Sequence, residues 1–270
     1  MIFLVSFLLL FFLLWLVFLI LEPALERLLK RTAHWTAKFR YRDYVPVAAV
    51  LAIGLAATLL AGDAFEDLAE SVQTNNTTLH EIDESVHEWA RYARTPGSTR
   101  FFTTMTIIGT PGPLAVLLAI VVAVLLAKKR WRWAAYLALT GGGGGVLNLT
   151  LKSFFERARP DLAIALRHAS GYSFPSGHAM GATIVFLSLA YIALRVLPRW
   201  RWRAAALALA VSMIVAIASS RIYLGVHWIS DVGAGIAAGL LWITTTTVAY
   251  ETFRRIRMIR ALRAKRAPTA

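Results

Sequence analysis

The chain has 270 residues, 58% of them hydrophobic and only 16% charged, which excludes an ordinary soluble domain, where about a quarter of residues carry charge. The formal net charge of +14 does not call for nucleic acid as a partner, because membrane proteins collect Lys and Arg in cytoplasmic loops. The absence of cysteine removes disulfides, a thiolate nucleophile and any Cys-based zinc site.

Seven apolar runs are long enough, or nearly long enough, to cross a bilayer: roughly 1–21, 45–62, 105–127, 133–151, 178–197, 204–219 and 231–250; about twenty apolar residues are needed. The first lacks a basic n-region, and Leu21-Glu22-Pro23 offers no small-residue cleavage site. It reads as a retained anchor, with a re-entrant or interfacial helix as the alternative. The loop 63–100 holds eight of the fifteen acidic residues. Within it a short helix over about 79–94 carries His80, His87, Trp89 and Tyr92, and is expected to lie on the membrane surface as an amphipathic helix. His80 and His87 are a weak metal pair at best. Asn75 and Asn76 both fit N-x-[ST], which matters only in a host that glycosylates exported loops.

Gly109-Thr110-Pro111-Gly112-Pro113 predicts a kink or a late start in the third run. Gly141–Gly145 lies inside an apolar run and lacks the G-K-[ST] ending of a phosphate loop. It is expected to serve close helix packing, as are Gly233, Gly235 and Gly239. Thr244–Thr247 can satisfy their hydroxyls on helix carbonyls. The basic tail from Arg254 to Arg266 suits anionic headgroups and topology.

The charges orient the chain. Segments 22–44, 128–132, 195–203 and 251–266 hold 21 of the 29 basic residues. All four fall on one side if each run crosses once, and the positive-inside rule makes that side cytoplasmic. The N-terminus is then outside and the C-terminus inside. Three basic residues remain in the acidic loop. Five others, Lys152, Arg157, Arg159, Arg167 and Arg221, stand on the outer face against the topological grain. An anionic ligand held there is the simplest reason.

Three clusters share that face: KSFFERARP (Lys152 to Pro160), YSFPSGHAMG (Tyr172 to Gly181) and SRIYLGVHWISD (Ser220 to Asp231). Lys152, Arg159 and Arg221 are three cations, two of them guanidinium forks that match phosphate oxygens. Pro175-Ser176-Gly177-His178 opens a span, and a helix N-terminus presents free N–H groups to an anion. Glycine lets the ligand approach closely. Of His178 and His227, one can attack phosphorus while the other protonates the leaving oxygen. Asp231, four residues after His227, falls on the same helix face and can orient its ring.

Lys152-x6-Arg159-Pro160, Pro175-Ser176-Gly177-His178 and Ser220-Arg221-x5-His227-x3-Asp231 together resemble the three-part signature of the type 2 phosphatidic acid phosphatase superfamily. Each part alone is weak; three in order on one face are specific. The resemblance covers 152–231 directly and a six-span core over about 45–250 by topology. It implies an all-α polytopic membrane bundle with one extra N-terminal apolar helix, a basic segment to residue 44 and a basic cytoplasmic tail over 251–270. It further implies His227 as nucleophile forming a phosphohistidine, Asp231 as its orienter, and His178 as general acid and then base. Lys152, Arg159 and Arg221 would bind phosphoryl oxygens, Ser176 and the Gly177 N–H would complete the cradle, and Ser220 would be a further donor. No metal or other cofactor is implied. Arg157, Arg167 and His168 match no signature position and are expected to meet headgroups or solvent. Asp161 would balance charge or start a turn.

The expected activity is hydrolysis of a phosphomonoester or pyrophosphate on a membrane lipid, such as undecaprenyl pyrophosphate, phosphatidylglycerophosphate or phosphatidate. The substrate would reach the outer leaflet site sideways from the bilayer of the cell (inner) membrane. Phosphotransfer through the same phosphohistidine is the enzymatic rival. A lipid-phosphate transporter is the non-enzymatic one, but binding alone needs the cations and not the His178, His227 and Asp231 set. The sidedness is testable: a Ser85→Cys variant should react with a membrane-impermeant thiol reagent added outside, and labelling only from the cytoplasm would invert the topology.

Overall fold

The computed structural model describes residues 2–36, 45–160 and 165–266; Asp161 falls outside them, as does part of the basic segment before residue 45. The described residues form nine helices and no strands. They are α1 (Ile2–Thr36), α2 (Val45–Gln73), α3 (Thr77–Tyr92), α4 (Pro96–Ile108), α5 (Pro111–Ala127), α6 (Trp131–Phe155), α7 (Gly177–Val196), α8 (Trp200–Tyr223) and α9 (Ile229–Arg266). Four stretches are long and apolar enough to cross a membrane: Phe3–Leu21, Gly177–Val196, Trp200–Tyr223 and Ile229–Leu262. Helices α4 and α5 make a fifth together, bent by 52°.

That bend is the kink expected at Gly109–Pro113. Pro111 has no N–H to donate and its fixed φ suits the first helical position, so the chain stops and restarts there. The runs at 45–62 and 133–151 become α2 and α6. Helix α6 is diluted by Thr140, five glycines and Asn148, so its apolarity is low for a span. It joins the bundle against α5 and α7, and α2 lies along α9.

Local chemistry sets the other boundaries. Asn75 turns the chain at φ 50°, and Asn76 Oδ1 accepts the Leu79 N–H at 3.1 Å, capping α3. Thr95 and Ser98 form a capping box at the start of α4, with Pro96 just inside it. The Thr95 N–H also donates to the Tyr223 hydroxyl at the end of α8, at 3.1 Å, and Ser98 Oγ lies 2.6 Å from it, which pins α4 to α8. Helix α6 ends at Glu156 in the left-handed region, φ 48°. Helix α9 runs unbroken from Ile229 to Arg266, so the basic tail continues a spanning helix.

The core lies among α7, α8 and α9. Small residues bring these helices close: Ala179, Ala182, Ala204, Ala208 and Ala234 are fully buried. A methyl on Gly235 would sit 2.6 Å from the Ser176 carbonyl oxygen, so α9 abuts the first turn of α7 backbone to backbone. The glycine run in α6 is split. Gly141, Gly143 and Gly144 face Leu118, Trp242 and Ile184, whereas Gly142 and Gly145 have nothing within 4 Å of a built Cβ. Thr244, Thr245 and Thr246 donate to the carbonyls of Leu240, Leu241 and Trp242 at 2.7–2.9 Å, as expected, while Thr247 pairs with the Tyr136 hydroxyl at 2.8 Å.

Helix α1 packs antiparallel on α8. The indole of Trp15 donates to the Arg201 carbonyl at 3.0 Å, and that of Trp200 to the Phe18 carbonyl at 2.9 Å. At the opposite end Phe3 meets Phe102 and Tyr223, with centroids 5.2 and 6.5 Å apart. Gly235→Ala should lower stability in detergent by about 1–3 kcal/mol, the usual range for overpacking. Gly142→Ala, into open space, should not, and a thermal unfolding comparison of the two checks this.

Candidate active site

The signature residues converge at one end of the bundle. Lys152 stands in the last turn of α6, Ser176 and His178 at the start of α7, Ser220 and Arg221 in the last turn of α8, and Asp231 in the first turn of α9. Arg159 and His227 lie on the connecting segments 156–176 and 224–228. These segments are tied to each other. The Ser173 N–H donates to the Arg157 carbonyl at 2.8 Å, Leu166 N–H to Leu224 O at 2.9 Å, and Ser176 N–H to Asp231 O at 2.9 Å.

At the centre is His227, only 2% exposed. Its Nδ1 lies 3.2 Å from Asp231 Oδ2, and its Nε2 lies 3.1 Å from Arg159 Nη1. A carboxylate oxygen accepts and a guanidinium donates, so this pattern assigns the proton to Nδ1 and a lone pair to Nε2. Burial pulls the His227 imidazole down to about 4, against the upward pull of Asp231. The ring is therefore neutral at physiological pH.

Asp231 is fully buried and its carboxylate is fully engaged. Oδ2 also accepts the Trp228 N–H at 3.0 Å. Oδ1 accepts Arg157 Nη1 at 2.7 Å and Ser173 Oγ at 3.4 Å.

The three signature cations are held differently. Lys152 Nζ donates to the Tyr172 carbonyl at 2.6 Å. Arg159 donates to the carbonyls of Gly171, Ser170, Tyr172 and Val226 at 2.7–3.2 Å. Arg221 Nη1 donates to the Thr106 hydroxyl of α4. None of the three pairs with a carboxylate among the described residues. Neutral carbonyls orient a cation without cancelling its charge, so this end of the bundle keeps a net attraction for anions. Arg159 is held below the usual arginine range by burial, with Asp231 opposing.

Helix α7 begins as the sequence implied, with Ser176 as N-cap, but the Ser176 hydroxyl makes no cap bond. Ser176 Oγ, His178 Nε2 and Arg221 Nε are buried polar atoms with no hydrogen-bond partner among the described residues. The His178 ring feels the charges of Arg221, Arg159 and Lys152 and neighbours His227. A Cβ on Gly177 would lie 2.8 Å from Asn148 Oδ1, so glycine is what lets α6 approach the helix start. Pro160 is buried.

Some expectations change. The Ser220 hydroxyl donates to the Ile217 carbonyl at 2.6 Å; its proton goes back into the helix. Arg157 was expected to face headgroups or solvent. It is instead 16% exposed and its fork joins Asp231 to Asp83 of α3, at 2.7 and 2.8 Å. Arg167 and His168 are exposed. Helix α3 is no loose surface helix: Asp83, His87 and Ala90 are buried. His80 and His87 flank the Trp228 ring, with centroids 6.2 and 5.6 Å away, and no group of three or more metal-ligating side chains gathers among the described residues. Asp83, Arg157 and Thr106 are the residues that motif reading did not single out. Asp83 carries a trace: with Leu79, His87 and Ala90 it occupies the inward face of an amphipathic helix, where an acid needs a partner.

Beside the site a groove of about 540 Å³ runs between α5, α6 and α7. Its wall starts at Gly177 and Asn148 and continues past Gly145, Gly142, Leu118 and Val122. It is apolar, and the two unpacked glycines of α6 face it. On the His227 protonation state the geometry makes a definite prediction. In histidine-labelled protein, NMR should show His227 Nε2 unprotonated at pH 5.5, and titration near pH 6.5 would contradict it.

A model of the PAP2 superfamily matches residues 129–255. The phosphatidylglycerophosphatase B of Bacillus subtilis (strain 168) is 34% identical over 192 residues, spanning 70% of this chain and 93% of that protein. A decaprenylphosphoryl-5-phosphoribose phosphatase of Mycobacterium tuberculosis (strain ATCC 25618 / H37Rv) is 33% identical over 46% of this chain and 64% of its own. The crystal structure of a transmembrane PAP2-type phosphatidylglycerolphosphate phosphatase from Bacillus subtilis superposes with a TM-score of 0.66 at 32% identity, covering 70% of this chain and 94% of that one. With the three motifs gathered at one end of a helical bundle and a relative matched over nearly its full length, the chain belongs to the PAP2 superfamily.

Proposed function

We propose that this protein is a membrane lipid phosphatase that works through a phosphohistidine on His227, with its site at the outer leaflet. One observation carries the reading. A neutral His227, oriented by Asp231, shares one end of the bundle with three cations that pair with no carboxylate among the described residues, and with Ser176, His178 and Arg221 atoms that have no hydrogen-bond partner among them.

The steps follow from the positions. The phosphoryl group takes the place beside Arg159, Lys152, Arg221 and the α7 N-terminus, whose free N–H groups and positive end favour an anion. His227 Nε2 attacks phosphorus. The phosphorus–oxygen bond to the lipid breaks, and the departing oxygen takes a proton from His178. The substrate's own negative charge supports that proton on His178. His178 then accepts a proton from a water molecule as its oxygen attacks phosphorus. The phosphorus–nitrogen bond breaks, returning the lone pair to His227 and releasing inorganic phosphate. Throughout, the cations stabilise charge building on the non-bridging oxygens.

The groove fits the lipid part. It begins at Gly177, beside the cradle, and is walled by apolar side chains and glycines, so a hydrocarbon chain can lie there while its phosphate meets the cations. Substrates then come sideways from the bilayer. The named relatives act on a phosphatidylglycerophosphate and on a decaprenyl-linked phosphate. We place the substrate here in the same broad class, a phosphomonoester or diphosphate on a hydrophobic chain.

Purified wild type should release phosphate from a panel of phosphatidate, phosphatidylglycerophosphate and prenyl diphosphate in the presence of EDTA. His227→Ala should lower that rate by roughly 10³-fold or more. Orthovanadate, which mimics the trigonal transition state, should inhibit. Loss of activity in EDTA with rescue by Mg²⁺ would contradict the metal-free cradle, and full activity in His227→Ala would remove the nucleophile.

A further inference from the structure

We propose that Asp83 and Arg157 are positioning residues for the His227–Asp231 pair, and that through them the short helix α3 is part of the catalytic assembly. The proposal rests on the histidine mechanism above.

The contacts form a closed network. Asp83 is fully buried. It accepts the Ser230 N–H at 3.0 Å and the Ser230 hydroxyl at 2.6 Å. Its Oδ2 also accepts Arg157 Nη2 at 2.8 Å. Arg157 Nη1 donates to Asp231 Oδ1 and to Ser230 Oγ, both at 2.7 Å. The guanidinium also lies over the Trp228 ring, 5.9 Å from its centroid. One fork thus joins α3 to the first turn of α9, immediately beside the residue that orients His227.

Two consequences follow from this geometry. A carboxylate held on one oxygen alone can swing about its side-chain torsions. Arg157 on Oδ1 fixes the plane of the Asp231 carboxylate, so that Oδ2 points at His227 Nδ1. Asp83 in turn decides what Arg157 does. A guanidinium at this end of the bundle would otherwise be a fourth phosphate ligand. With Nη2 engaged by Asp83 and Nη1 by Asp231, its charge is compensated by carboxylates, whereas the partners of Arg159 and Arg221 are carbonyls, a ring nitrogen and a hydroxyl.

The test uses full-length protein in mixed micelles with the three lipid substrates named above. Wild type, His227→Ala, Asp83→Asn, Arg157→Met and the Asp83→Asn/Arg157→Met double variant are compared. Asp83→Asn and Arg157→Met should lower kcat by roughly 10²-fold, the scale of a misplaced catalytic group, with KM within about threefold of wild type. The double variant should be no worse than Arg157→Met, because both act through one contact. Arg157→Lys should recover only part of the rate, since an ammonium cannot span both acids. A raised KM at unchanged kcat would make Arg157 a substrate ligand and overturn the proposal. If Arg157→Met does not fold, Ser230→Ala decides: removal of the hydroxyl that accepts from Arg157 and donates to Asp83 should lower kcat about fivefold, the scale of a lost hydrogen-bonding group, and an unchanged kcat overturns it. If His227→Ala matches wild type, or wild type hydrolyses none of the three lipids, the mechanism falls and this proposal with it. If His227→Ala is inactive while Asp83→Asn and Arg157→Met match wild type, the positioning proposal alone falls.

Discussion

The buried carboxylate of Asp231 is the group on which the rest of the site depends. A lone carboxylate removed from water is very costly unless it is paired and hydrogen-bonded. Here both oxygens are engaged, by His227, the Trp228 N–H, Arg157 and Ser173. Those partners come from the two connecting segments at this end of the bundle, and Arg157 brings α3 with it through Asp83. Residues 157–160, 165–176 and 224–231 must therefore adopt their observed paths together. The spans beneath supply the platform, and the carboxylate dictates how the non-helical chain crosses it.

Two kinds of cation stand side by side. Arg157 faces two acids and is compensated within the protein. Lys152, Arg159 and Arg221 face carbonyls and a hydroxyl, which orient without neutralising. Separating the roles in this way lets one end of a bundle hold a charged dyad in place and still attract an anion. His227 fits between them. Its neutral state comes from burial, and its orientation comes from the compensated side, while its lone pair faces the uncompensated one. That division supports the reading of a phosphoryl site, and the shared family membership sets it within a known architecture.

Much of this was legible in the residues. The apolar runs, the Gly-Pro break at 109–113 and the three motifs rest on local chemistry: hydrophobic length, the missing proline N–H, and the spacing of charges along one face. These survive being read one segment at a time. Asp83 and Arg157 do not. Asp83 stands in an acidic loop, where an extra carboxylate is unremarked, and Arg157 sits two positions before a motif arginine. Their meaning comes from a contact 74 residues apart in sequence, set by how α3 folds back onto the start of α9. Thr106 is similar, since an apolar run tolerates a threonine for many reasons and only the packing of α4 on α8 brings it to Arg221. The Ser220 hydroxyl shows the converse. It occupies a motif position, yet its helix offers a nearer acceptor at Ile217.

The two tryptophans that clamp α1 to α8 bear on how a lipid reaches the chemistry. Trp15 and Trp200 hold the helices together near one end, and Phe3 packs against Phe102 and Tyr223 at the other. Helix α8 carries Arg221 and is covered on that flank along much of its length. A molecule diffusing in the bilayer from that direction meets α1 and then α8 before any site residue. The glycine-lined groove that begins at Gly177 lies instead between α5, α6 and α7. Helix α8 is thereby screened by α1 on one side, while an apolar groove opens beside the start of α7.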